Sequence, residues 1–219
     1  MPLFKKSNIL FIHIPKTAGT SIEKQLYDLE DPSDRWTNES FFTSASGTYY
    51  HGRVYSLQHY TFKDFEEIIG QDKLNSFRTI FAIVRNPYER MVSEFYYYHR
   101  YVLGHDVVYT DVSDLQQQFE AFCRKLIEGQ LKDDNHHLPQ YAYLVNNTEN
   151  IDTRIKILRY ETLSMDIKNH LGLDLAYHAL KSERTINYKD HYNVVCQQLV
   201  GEYYSHDFTL FYYDINKLP

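Results

Sequence analysis

Hydrophobic and polar positions along the chain divide it into short apolar runs, each followed by a segment able to form a helix. Ile9 to Ile14 is apolar except for His13, Thr79 to Val84 is apolar and β-branched, and Ile155 to Leu158 is shorter and broken by Lys156. Runs of this length, bounded by turn residues, read as buried strands. The pattern predicts strand 8–14, turn 15–19 and helix 20–29, then a short strand near 54–57. Thr61 caps a helix that Gly70 ends. Strand 79–84 leads into a helix over 87–101, and Asp111 or Ser113 starts another that runs to Ile127. A short helix near 139–145, a strand at 155–158, a helix over 160–170 and a last helix over 190–204 complete the series. Strands alternating with helices imply an α/β fold around a parallel sheet.

With 219 residues and neither repeats nor a low-complexity linker, the chain is expected to form one domain, residues 1–219. Its net charge of −6 argues against a general polyanion or nucleic-acid binder, so an anionic ligand needs a local basic patch. The 21 Tyr and 13 Phe are mostly core and rim residues, although tyrosines at a cleft suit sugar faces and an adenine ring. Cys123 and Cys196 fall in helical, apolar surroundings and read as buried free thiols. There is no C-x-x-C or H-E-x-x-H pattern, and the adjacent pair His136-His137 points in two directions, so no metal site is expected. No run approaches the roughly 20 apolar residues that span a bilayer. The first strand starts too early to leave room for a signal peptide, which suggests a soluble cytoplasmic protein of bacterial or viral type, or a trimmed luminal domain.

Two strand–turn–helix junctions carry the chemistry. The first is Pro15-Lys16-Thr17-Ala18-Gly19-Thr20-Ser21. Main-chain N–H groups and the positive end of a helix dipole meet at such a turn and make an anion site. Lys16 adds a full charge, and Thr17, Thr20 and Ser21 add hydroxyl donors. A Walker A loop, G-x-x-x-x-G-K-[ST], is absent, because the Lys precedes Gly19 and no glycine comes earlier. The second junction is Arg85-Asn86-Pro87-Tyr88-Glu89-Arg90, with Ser93 one turn beyond Arg90. Asn86 and Pro87 open a helix. Arg85 stands at the carboxyl end of a strand, where open parallel sheets bind ligands, and a guanidinium grips phosphate bidentately.

These two motifs together resemble the PAPS-dependent sulfotransferases, and most closely the carbohydrate group with the heparan sulfate 2-O- and chondroitin-type enzymes and small bacterial members. Gln58-His59-Tyr60-Thr61-Phe62, Leu138-Pro139-Gln140 and Arg159-Tyr160-Glu161 are also similar to that group. The resemblance implies a P-loop-NTPase-like three-layer fold with a central parallel sheet flanked by helices. It implies that Pro15 to Ser21 hold the 5′-phosphosulfate of PAPS and that Arg85 and Ser93 hold its 3′-phosphate. Arg184, in the basic loop 181–187, matches a late loop that closes over that phosphate. The product would be PAP, no metal would take part, and the acceptor would be a carbohydrate hydroxyl.

The reaction so implied is an in-line, loose transfer driven by positioning and charge stabilisation. Lys16 would neutralise the leaving oxygen. A His is the natural base for the acceptor hydroxyl. Of 11 His, His59 is the first candidate. His51 is the second, from a segment that resembles a Tyr-His-Gly-His pattern but carries Arg53 at the second His position. His13, inside the first strand, reads as a core residue, and Glu23 reads as a solvated helix residue that could orient a base. His137, Pro139 and Gln140 fall where relatives build the acceptor cleft. Two other readings stand beside this one: a small kinase on the same fold, and a non-catalytic nucleotide-binding relative.

Overall fold

The computed structural model describes residues 3–4, 6–29, 48–50, 53–55, 59–131, 135–174 and 187–219. The chain divides into two compact units, Met1–Val84 with Asp134–Lys181 and Arg85–Asp133 with Ser182–Pro219.

The first unit is built on a four-stranded sheet in the order β1 (Leu3–Phe4), β2 (Ile9–Ile12), β5 (Thr79–Val84), β6 (Ile155–Arg159). β2, β5 and β6 run parallel, with Ile12 opposite Ala82 and Val84 opposite Arg159, and β1 is antiparallel at the edge. Parallel neighbours end at one edge of the sheet, so the residues that leave β2 do so where β5 also ends. All residues of β2 and β5 are buried, which is why they read as continuous apolar runs rather than alternating ones. Helices α1 (Gly19–Tyr27) and α5 (Leu163–Leu171) set Ile22, Leu26, Leu163 and Ile167 against Phe4, Ile9, Phe11, Phe81, Ile83 and Leu158 on one face. A two-stranded hairpin, β3 (Thr48–Tyr50) with β4 (Arg53–Tyr55), and helix α2 (Phe62–Asn75) complete the unit.

Thr61 caps α2 as expected, in a full capping box with Asp64. Gly70 does not end the helix. It takes φ 74° and breaks it locally, and the helix resumes to Asn75. β2 is shorter than its apolar run, because Ile14 N–H turns back to the Ile12 carbonyl at 3.2 Å, and this leaves His13 just past the strand.

The second unit is helical. It holds α3 (Pro87–Tyr97), α4 (Val112–Ile127), α6 (Val194–Tyr203) and α7 (Ser205–Leu210). The expected helix to residue 101 becomes α3 followed by a π-helical turn, Tyr98–Val102. The expected last helix is interrupted because Asn193 accepts from Cys196 N–H and so starts a new helix at Val194. The core packs Tyr88, Phe95, Phe119, Phe122, Val200 and Phe208. Cys123 and Cys196 are free and fully buried, with sulfurs 3.6 Å apart.

Candidate active site

In the first unit, β2 feeds the turn Pro15 to Ala18 and then α1. Lys16 and Ala18 both take left-handed backbone conformations, with φ 67° and 76°. For residues with a Cβ this costs about 1 kcal/mol each or more and persists only where the surroundings impose it. Left-handed residues in a turn before a helix can gather main-chain N–H groups into a concavity that suits an anion. Ala18 is the N-cap of α1 and has no side-chain oxygen with which to cap the first turn. Its carbonyl accepts from Ser21 and Ile22 N–H at 3.0 and 3.3 Å. Pro15 and Ser21 are buried, Lys16 is half-buried and Thr20 is exposed. The hydroxyl of Thr17, expected as a donor to a ligand, donates instead to the Ile14 carbonyl at 2.9 Å, so this residue braces the turn from within.

Gly19 is required by a close approach rather than by its φ. A Cβ there would overlap the imidazole of His13. That imidazole is buried, and its Nδ1–H donates to Glu23 Oε1 at 2.6 Å. Glu23 is buried with it rather than solvated. The main-chain carbonyl of His13 accepts from Nδ1–H of His59 at 3.0 Å. In the neutral imidazole, a proton on Nδ1 leaves the lone pair on Nε2, which is the state a general base needs. The His59 ring stands edge-on to His13 at 4.7 Å and edge-on to His136 at 4.9 Å. Burial, reinforced by the His13 and His136 charges, holds the His59 pKa well below the usual imidazole value. Asn135 anchors the main chain of His59, with Nδ2 donating to its carbonyl at 3.2 Å, and Tyr143 in turn donates to the Asn135 carbonyl at 2.5 Å.

In the second unit, Arg85 is the first residue after β5. Asn86 caps α3 by accepting from Tyr88 N–H at 2.9 Å, with Pro87 in the first turn. The Arg85 side chain is buried, and its Nε and Nη2 donate to Glu89 Oε2 at 3.2 and 3.0 Å. Nη2 also donates to the Tyr188 hydroxyl at 2.9 Å. Ser93 is half-buried on α3. Arg90 is buried, with its guanidinium over the Tyr204 ring at 5.8 Å.

His51 and Arg184 lie outside the described residues. His137 and Pro139 are half-buried, and Gln140 is fully buried at the start of a 3-10 turn, Gln140–Tyr143. No local pattern signals the Tyr188 contact, which joins residues 103 apart. The Arg85–Glu89 pair has i, i+4 spacing, but Arg85 precedes the helix that carries Glu89, so helical periodicity alone does not bring the two together. The His13–Glu23 pair has no spacing signature, because it closes across a turn.

The sulfotransferase family model matches residues 3–214, and the chain belongs to that family. It is thereby a transferase of sulfuryl groups to a hydroxyl acceptor. No curated protein and no solved structure matches it. Among the described residues, no helix is long and apolar enough to cross a membrane.

Proposed function

We propose that this protein is a PAPS-dependent sulfotransferase that sulfates a hydroxyl of a carbohydrate or glycan-like acceptor, with residues 1–219 acting as one sulfotransferase domain of P-loop-like, three-layer type. The observation that carries the reading is the turn of Pro15 to Ser21. It combines two strained left-handed residues, a helix N-terminus and Lys16 in a segment that the sulfotransferase family matches. The fit to PAPS rests on that anion cradle and on a buried, hydrogen-bonded Arg85 at the second motif.

Pro15, Lys16, Thr17, Ala18, Gly19, Thr20 and Ser21 would hold the 5′-phosphosulfate, and Arg85 and Ser93 the 3′-phosphate, with Arg184 closing over it. When bound, PAPS supplies the sulfuryl group and the PAP leaving group. Lys16 places its ammonium against the charge that develops on the departing oxygen. His59 takes the acceptor's proton on Nε2, so that oxygen is free to form the new O–S bond. The main-chain N–H groups of the turn are fixed before reaction and need no reorganisation as charge builds. His51 is the second candidate for the base.

Titration calorimetry with PAP tests this on the wild type and on Arg85→Ala. Binding by the wild type, weakened by about 2 kcal/mol or more in the variant, supports the cofactor. Binding of ATP in place of PAP would favour the kinase reading. Binding of neither would indicate a non-catalytic relative.

A further inference from the structure

We propose that Glu23 and His13 are positioning residues for His59: Glu23 fixes the His13 imidazole, and His13 fixes the tautomer of His59 and the charge it faces. This rests on the reading of His59 as the acceptor's base.

The geometry forms one connected chain within the first unit. Glu23 Oε1 accepts from His13 Nδ1–H at 2.6 Å, and both side chains are buried. A buried carboxylate needs hydrogen-bond donors, and the His13 Nδ1–H supplies one. The His13 carbonyl then accepts from His59 Nδ1–H, which leaves Nε2 as the only basic nitrogen of His59. The His13 ring, 4.7 Å from the His59 ring, opposes a second proton there. The titratable side chains that face His59, among the described residues, are His13 from the end of β2 and His136 from the 135–138 turn, with Glu23 of α1 behind His13. The same His13 ring fills the space over Gly19 in the anion turn. One residue therefore braces the turn that would hold the sulfuryl donor and orients the group that would take the acceptor's proton.

An imidazole NMR titration of the full chain tests this without knowledge of the acceptor. In the wild type, nitrogen shifts should report His59 with its proton on Nδ1 near neutral pH, and a far-downfield Nδ1 proton for His13. In Glu23→Gln and in His13→Gln, the His59 midpoint should rise by about half a pH unit or more. A lower melting temperature with an unmoved His59 midpoint would reduce the pair to a structural role and overturn the proposal. So would the opposite His59 tautomer in the wild type, which needs no variant to fold. An unmoved midpoint in a protein that binds PAP sinks the positioning role and leaves the sulfotransferase reading intact. A wild type that does not bind PAP sinks that reading, whatever the histidines do.

Discussion

The His13 imidazole occupies the space where a side chain on Gly19 would stand, so the first turn of α1 and the end of β2 are packed ring against backbone. Gly19→Ala must move either the ring or the turn. Overpacking of this kind costs about 1–3 kcal/mol. We expect a lower melting temperature together with weaker PAP binding, read by calorimetry on the same preparation. A variant with wild-type stability and affinity would show that the contact is slack.

Arg85 is already held by Glu89 and Tyr188. Arg85→Ala leaves the Glu89 carboxylate without these bonds, so part of any loss comes from Glu89. The double variant Arg85→Ala with Glu89→Ala removes that contribution. It should still bind PAP about 2 kcal/mol more weakly than wild type. Tyr188→Phe should cost less, about 0.5–1.5 kcal/mol, because it removes one hydrogen bond and keeps the ring. Recovery of full affinity in the double variant would remove Arg85 from the phosphate site.

Lys16 is assigned to charge that develops during transfer, so its loss should fall on rate more than on affinity. Lys16→Met should lower kcat by about 10²–10³-fold, with a much smaller change in PAP dissociation constant. An equal effect on both would mean that Lys16 binds the ground state and transition state alike.

Burial comes first among the causes that lower the pKa of His59, His99 and His191 below the usual imidazole value of 6.5. The unfolded chain therefore binds more protons than the folded one below that pH. Stability should be complete above about pH 6.5 and fall as the pH drops through the depressed folded values, by up to about 1.4 kcal/mol per pH unit for the fully enclosed His59 and by less for the more solvent-screened His99 and His191. Urea unfolding between pH 8 and pH 5 measures the slope, and His59→Gln should flatten it. A slope of the opposite sign would mean that these groups are charged in the fold.

Cys123 and Cys196 are fully buried, and burial pushes the Cys123 thiol pKa well up. A thiol reagent at neutral pH should label neither sulfur in the native protein and both after unfolding. Rapid native labelling would mean that α4 and α6 separate readily.

The strand–turn–helix junctions, the caps at Thr61 and Asn86 and the presence of a parallel sheet follow from local rules that act over a few residues, whereas the order of its strands does not. Apolar runs report burial on both faces, Pro and Asn report helix starts, and Lys16 and Arg85 stand where such junctions bind anions. Family membership was legible for the same reason, since its motifs are short and contiguous. Tertiary structure decided which polar residues were enclosed together. His13 sits in an apolar run and Glu23 on a helix, so sequence assigned them to core and solvent. Folding the turn back over Gly19 buries both in one place, where they hydrogen-bond to each other. His59 gains its tautomer from a carbonyl 46 residues away and its ring neighbours from both chain segments that make up the first unit. Hydrogen-bond partners and desolvation depend on three-dimensional enclosure, which no local pattern encodes. The identity of a candidate base therefore came from sequence, and its protonation state from the fold.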